Sequence, residues 1–322
     1  MFPRVAVLGC GDWGSNHIRT LKKLGVLVAI SDVNSDRADG LAIEHSVEAL
    51  SSDELFLSQE IDAVVLALPP QFHAENAMRA LMMGKDVLVE KPVALSVEDA
   101  EREVKLAREK ERVFMVGHLL RFHPVFEKLL DLVNSGELGE VRYIHSHRLG
   151  LGKFHKDSDA LWDLAPHDIS MILALSGCSP SDVHGEGAAI IDRFSDFAHL
   201  HMLFPNGLRS HLVASRLNPY RERRLTVIGT KAMAVFDDVK DWDQKLAIYR
   251  FSVWNENGLL AFTADEAQYL SVEEGLPLTR ELEHFLHCIR TRDEPLTNGE
   301  EAIAVLGILT DGSVKDTRNI IS

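Results

Sequence analysis

The sequence predicts an α/β protein in which a doubly wound parallel sheet is followed by an α+β domain built on an open-faced, mainly antiparallel sheet. Three observations carry this: short, nearly all-apolar strands alternating with helical patterns up to about residue 120, a glycine-rich turn after the first strand, and a change to hairpin rhythm beyond it. Val5–Leu8 is an apolar run ending in glycines, and Ile18, Leu21 and Leu24 then share one helical face until Gly25 stops it. Residues 26–30 form a second strand ending at Ser31-Asp32, and residues 63–68 a third ending at Pro69-Pro70. A helix over 75–83 leads to a strand over 86–89, and a charged helix over 97–110 leads to one over 114–117.

Beyond residue 120 helices are expected at 124–134 and 166–175, then extended stretches at 182–191, 197–204, 208–215, 225–228 and 233–236. Pro205-Asn206-Gly207 and Gly229-Thr230-Lys231 are turn signals that join neighbouring strands into antiparallel hairpins. Leu282, Phe285, Leu286 and Ile289 form an apolar stripe, and a last helix runs from 300 to about 311. The expected division is a dinucleotide-binding domain over 1–120 and a substrate-binding and oligomerisation domain over 121–322, with the last helices able to pack back on the first domain.

With 46% hydrophobic and 26% charged residues in a chain of 322, disordered and fibrous classes are excluded. A formal net charge of −15 argues against a nucleic-acid or anionic-membrane surface while leaving room for an anion in a locally basic pocket. Three cysteines without a CxxC or Cys/His cluster indicate neither a disulfide framework nor a structural zinc site, and fit a reducing, cytoplasmic setting. No signal-peptide core precedes the first strand, and no apolar stretch reaches the roughly 18 residues of a membrane helix.

The residues able to carry chemistry lie at strand ends. Gly9-Cys10-Gly11-Asp12-Trp13-Gly14 matches G-x-G-x-x-G between strand and helix, the context a pyrophosphate site needs. Asp32 closes the second strand at about the spacing expected of an acid that bonds the adenosine ribose hydroxyls. A carboxylate there repels a 2′-phosphate and no arginine follows directly, which favours NAD over NADP. Lys91, in Glu90-Lys91-Pro92, ends an apolar strand where open α/β sheets bind ligands. His73, after the rigid Pro69-Pro70, reads equally as a solvated helix N-terminal residue and as a cofactor contact.

In Asp163-Leu164-Ala165-Pro166-His167 the acid and the imidazole share a face if the helix has begun by Asp163; if Pro166 opens the helix, Asp163 lies just ahead of it. Either way an aspartate on one ring nitrogen would orient the other as a general base, whereas an N-cap beside a surface histidine is the plain alternative. No third ligand lies at a recognisable spacing, so no metal is expected. His118, Arg121 and His123 follow the strand over 114–117; Arg121 suits an anionic or hydroxylated substrate and equally an acidic neighbour. Arg221-Glu222-Arg223-Arg224 could meet a diphosphate, but a solvated loop between strands is the simpler reading.

The fingerprint, the Glu90-Lys91-Pro92 triplet, the 117–124 segment and the 163–167 motif together resemble the Gfo/Idh/MocA family, the glucose-fructose oxidoreductase and inositol dehydrogenase group. The resemblance spans essentially the whole chain. It implies an N-terminal Rossmann domain, a C-terminal domain whose open sheet buries one face against another subunit of a homodimer or homotetramer, and hydride transfer between NAD and a sugar or polyol carbon. By matching motif, Lys91 would contact the reacting hydroxyl and hold the developing oxyanion, with a cis peptide before Pro92; His167 would accept the proton and Asp163 would orient it. Cofactor contacts would come from Gly9, Gly11, Asp12, Trp13, Gly14, Asp32, Pro69, His73, Glu90 and Lys91, and substrate contacts from Lys91, His118, Arg121, Asp163 and His167. Ala165 departs from the family's usual glycine, which bears on local backbone geometry. Residues 13–17, 116–120 and 161–170 look like the branch that oxidises nucleotide-linked sugars. That branch implies oxidation at C3 of an amino sugar such as UDP-N-acetylglucosamine, with the keto product passed to an aminotransferase for lipid A or other surface glycans. A free-sugar or inositol dehydrogenase would differ mainly around His118, Arg121, Lys156 and Arg221, and a non-catalytic dinucleotide-binding sensor would share the fold.

Overall fold

A computed structural model describes residues 3–152, 159–191 and 193–313. The chain forms two compact units, Met1–Leu119 with Leu276–Gly307, and Leu120–Gly275 with Ile308–Ser322. The first unit begins β1 (Val5–Leu8), α1 (Asp12–Lys23), β2 (Leu27–Ser31), α2 (Ser35–His45), β3 (Glu48–Ala49) and α3 (Ser52–Leu57). It continues with β4 (Ala63–Leu66), α4 (His73–Met82), β5 (Asp86–Glu90), α5 (Val97–Glu109) and β6 (Phe114–Gly117). The strands lie in the order β3-β2-β1-β4-β5-β6, all parallel. Every residue of β1, β4, β5 and β6 is buried, as expected of strands covered by helices on both faces. Strand order reverses at β1, which pairs with β2 on one side and β4 on the other; the crevice beyond such a point is where these sheets bind ligands.

The sequence reading leaves α2, β3 and α3 unassigned. Only Ala38 and Ala42 of α2 are buried and both residues of β3 are exposed, so neither element carries a strong apolar pattern. Local signals were present nonetheless: Asn34 caps α2 and Ser51 forms a capping box with Glu54 on α3.

In the second unit come α6 (Pro124–Asn134), β7 (Val141–Leu149), α7 (Ala160–Leu164), α8 (Pro166–Ser176), β8 (Asp182–Ala188), β9 (Phe197–Leu203) and β10 (Arg209–Ser215). Then follow β11 (Glu222–Gly229), β12 (Ala232–Asp237), β13 (Leu246–Glu256), β14 (Leu259–Ala264) and β15 (Gln268–Tyr269). The sheet runs β14-β13-β12-β11-β7-β10-β9-β8, with β15 on β13. Every pair is antiparallel except β7 with β10. The two expected hairpins form, β9 with β10 and β11 with β12. The central strand β7 was not foreseen, because Tyr143, His145 and His147 alternate with Ile144, Ser146 and Arg148 and dilute its apolar signal. β13 and β14 were likewise missed; most of their residues from Arg250 onward are exposed. β11 starts earlier than expected, so Arg223 and Arg224 are strand residues and the basic cluster is not a loop.

One face of this sheet buries Ile144, Ala198, Leu200, Met202, Leu212, Ala214 and Val227, and α6 and α7 pack against its strands. Tyr143, His145, His147, His199 and His211 alternate with these positions and stay half-exposed, with His201 exposed.

The chain ends in α9 (Pro277–Thr291) and α10 (Gly299–Asp311). Leu282, Phe285, Leu286 and Ile289 are buried as their spacing predicts, and α9 packs on α1. The segment between the two helices lines β6: Thr297 Oγ1 donates to the Val116 carbonyl at 2.7 Å, and Arg292 Nη1 reaches both Asp86 oxygens at 2.7 and 2.9 Å. Gly299 permits this approach, since a Cβ there would come within 2.3 Å of Val104. Among the described residues no helix is long and apolar enough to cross a membrane.

Candidate active site

The turn after β1 is built by glycines with distinct tasks. Gly9 has φ +102°, and a Cβ on it would lie 2.3 Å from the Ala67 carbonyl oxygen; one on Gly14 would lie 1.9 Å from that of Gly9. Neither position admits a side chain. Around Gly11, by contrast, a Cβ would meet nothing within 4 Å, and as N-cap it leaves the start of α1 without a side-chain cap. An open, bare helix N-terminus suits a pyrophosphate. Asp32 accepts from Cys10 N at 2.7 Å and Asn34 N at 2.8 Å, so the carboxylate ties the end of β2 to the glycine turn. Arg37 stands 3.7 Å from it, a neighbour the sequence reading did not foresee. Burial first, and the Asp32 charge second, push the Cys10 thiol up to about 12, which leaves it inert as a nucleophile.

At the end of β5, Glu90 Oε1 receives the indole N–H of Trp13 and lies 2.6 Å from His17 Nε2, while the Lys91 N–H approaches Oε2 at 3.3 Å. One carboxylate thus links the first turns of α1 to the loop that carries Lys91. Gly117 leaves room for it, because a Cβ there would sit 3.0 Å from Glu90 Oε2. Beneath lies Glu281 of α9, wholly buried with no hydrogen-bond partner for either oxygen among the described residues; burial, and then the charge of Glu90, push its carboxyl well up. His17 and Glu281 escaped the sequence reading: each sits on the apolar face of its helix, where the polar atom gives no periodic signal. The bond between Lys91 and Pro92 is cis.

His73 is fully buried rather than solvated, its ring nitrogens 2.7 Å from the carbonyls of Pro92 and Leu68. Burial pulls its pKa down while the two carbonyls oppose that shift, and the ring bridges the loops after β4 and β5. Pro69 N-caps the short 3-10 turn ahead of α4. Asp12 opens α1, and Trp13 keeps 39% of its surface exposed. His118 is buried just beyond β6.

In the second unit Arg121 is buried in a 3-10 turn. His123 caps α6, its Nδ1 accepting from Val125 N, with Asp238 3.5 Å from Nε2. Both sequence geometries for the acid and imidazole coexist. Asp163 already lies in α7, capped by Asp159, and Pro166 opens a new helix, α8, that carries His167 in its first turn. Ala165 joins them at φ −75° and ψ −24°, ordinary helical values that require no glycine, so the departure from the family pattern is harmless. Asp168, also missed, is buried and accepts from Ser146 Oγ at 2.5 Å and from Arg148 Nε, which pins the start of α8 to β7. Lys156 lies outside the described residues.

A glycine turn at the switch point of a parallel sheet, with a carboxylate ending the next strand, defines a dinucleotide-binding unit. The family model described as an oxidoreductase family with an NAD-binding Rossmann fold matches residues 3–118, and that of the GFO/IDH/MocA C-terminal domain matches residues 126–235. The chain belongs to the GFO/IDH/MocA family of oxidoreductases. It is 30% identical over 304 residues to the UDP-N-acetylglucosamine 3-dehydrogenase of Acidithiobacillus ferrooxidans, covering 94% of each chain. To the scyllo-inositol 2-dehydrogenase (NAD(+)) of Bacillus subtilis it is 27% identical over 316 residues, covering 93% of this chain and 90% of the other. The solved structure of the Acidithiobacillus enzyme matches with a TM-score of 0.84 at 28% identity over 95% of both chains.

Proposed function

We propose that the protein oxidises a secondary hydroxyl, that at C3, of a nucleotide-linked amino sugar such as UDP-N-acetylglucosamine. The similarity along 94% of both chains to an enzyme of that activity carries this reading. The backbone of 9–14 and the Asp32 carboxylate would hold NAD, with Trp13, His73, Pro69, Glu90 and Lys91 around it, and the carboxylate disfavours a 2′-phosphate. Bound NAD supplies the hydride acceptor. The Lys91 ammonium donates a hydrogen bond to the reacting oxygen and stabilises the charge that grows on it. His167 takes the hydroxyl proton on a ring nitrogen, and Asp163 orients the ring and favours its protonated form. His118 and Arg121 contribute to holding the sugar. A ketone α to the amino-bearing carbon suits transamination, so an aminotransferase is the consumer of the product, in surface-glycan or lipid A synthesis. The open face of the second sheet joins subunits into a homodimer or homotetramer, and three free cysteines suit the cytoplasm, where we place the reaction.

The test is NAD reduction with UDP-N-acetylglucosamine, free N-acetylglucosamine and scyllo-inositol, run with an aminotransferase and glutamate to remove the ketone. His167→Ala is expected to lower kcat roughly 10²- to 10⁴-fold, and Lys91→Ala on the order of 10²- to 10³-fold. Turnover of inositol alone would favour the reading suggested by the Bacillus relative. NAD binding without turnover of any of these substrates would point to a sensor.

A further inference from the structure

Within the second unit a cavity of about 320 Å³ is lined by Arg148, Arg216, Arg221 and Arg223, and among the described residues Asp163 is the one carboxylate on its wall. Such a concentration of guanidinium groups is out of keeping with a chain of net charge −15. The strands enforce it. Arg223 stands directly opposite Arg148 in the β7–β11 register, an arrangement of like charges that costs stability. Asp168 neutralises Arg148 through its Nε, and the charge of Asp159 lies near Arg216. For Arg223 burial, followed by the charges of Arg148 and Arg221, pulls the guanidinium down from its ordinary value, with Asp238 and Asp168 opposing. Arg216 is 3% exposed and Arg223 half-buried, while Arg221 is exposed at the rim. Partly desolvated, mutually repelling guanidiniums around a void are stabilised by an anion that accepts several of their N–H groups at once.

We propose that this pocket is an anion subsite that takes the diphosphate of a nucleoside-diphosphate sugar, with Arg221 and Arg223 selecting nucleotide-linked over free sugars. The assignment rests on the hydride-transfer reading of Asp163 and His167. In such a sugar the diphosphate hangs from C1, two ring carbons from the C3 hydroxyl, and Asp163 lies on the wall of the pocket. A carboxylate on a uronic sugar would present the same oxygen chemistry, and the experiment separates the two.

UDP, inorganic pyrophosphate and glucuronate are titrated by calorimetry into NAD-saturated full-length protein. UDP is expected to bind, pyrophosphate to compete with it, and glucuronate to be silent. Arg221→Ala and Arg223→Ala are each expected to weaken UDP roughly tenfold or more, while Arg102→Ala, on an exposed face of α5, leaves it unchanged. In turnover the same two variants raise KM for UDP-N-acetylglucosamine by a similar factor and leave kcat within about threefold. Arg221→Gln, at the exposed rim, repeats the measurement in a variant whose melting temperature certifies the fold. UDP affinity unchanged in all three variants overturns the subsite, as does arginine-dependent binding of glucuronate in place of UDP. Should UDP-sugars be oxidised with KM untouched by these substitutions, the subsite falls and the catalytic reading stands. Arginine-dependent UDP binding without oxidation of any UDP-sugar leaves the subsite and removes the catalytic reading.

Discussion

Glu103 is completely buried on α5, and neither of its oxygens has a hydrogen-bond partner among the described residues. Burial, with Asp99 second, pushes its carboxyl from 4.5 up to about 9. The unfolded chain therefore releases this proton first, and Glu103 withdraws stability progressively as pH rises from about 4.5 to about 9. Glu103→Gln should flatten that loss, so melting temperatures compared near pH 5 and near pH 8 should converge in the variant relative to the parent. Single residues were legible where backbone chemistry dictates the residue type: the glycines of 9–14 were singled out from sequence, and the structure gives Gly9 and Gly14 the steric reasons, while the cis bond before Pro92 that the family resemblance implied is present. His17, Glu281, Asp168 and Glu103 were not, because a buried polar group is recognised only by the partner, or the lack of one, that folding brings to it.

Between residue and fold stands the joint of α7 and α8. Asp168 anchors it through a buried ion pair with Arg148 and a bond from Ser146. Asp168→Ala strands the Arg148 charge, which should cost about 3–5 kcal/mol and shift the denaturant midpoint accordingly. Loss of the anchor also loosens the first turn of α8, which holds His167. Elements with a wide apolar stripe, α1, α6 and α9, were read correctly, as were strands buried on both faces. β7 failed because its two faces serve different surroundings, one carrying Arg148 to Asp168 and the other presenting Tyr143, His145 and His147, so no hydrophobic average describes it.

At the scale of the whole molecule, the open sheet face concentrates ionisable rings. His145 and His147 of β7 have centroids 5.5 Å apart, as do His199 and His211, and His201 stacks on His211 at 4.4 Å. Glu222 lies 3.3 Å from His147, and the charge of Arg224 bears on His145. Burial first, then His201, His199, His147 and His145, pull His211 from 6.5 down to about 4, and burial, then His147 and Arg224, lower His145. Depressed histidines contribute stability that is complete above about pH 6.5 and is lost as pH falls toward about 4. The melting temperature should therefore fall as pH drops from about 6.5 toward about 4, and His211→Gln should lessen that fall.

The first unit owes its last elements to residues 276–307, after residues 120–275 of the second unit have been translated. Asp86 at the start of β5 receives Arg292, and β6 receives Thr297, only from that returning segment. A chain emerging from the ribosome therefore carries an unfinished cofactor unit, with the edge of β6 exposed, until residues 276–307 have been made. Synthesis order has a consequence: a product ended before residue 276 lacks the segment that brings Arg292 to Asp86 and Thr297 to β6, and its dinucleotide-binding unit stays open at that edge.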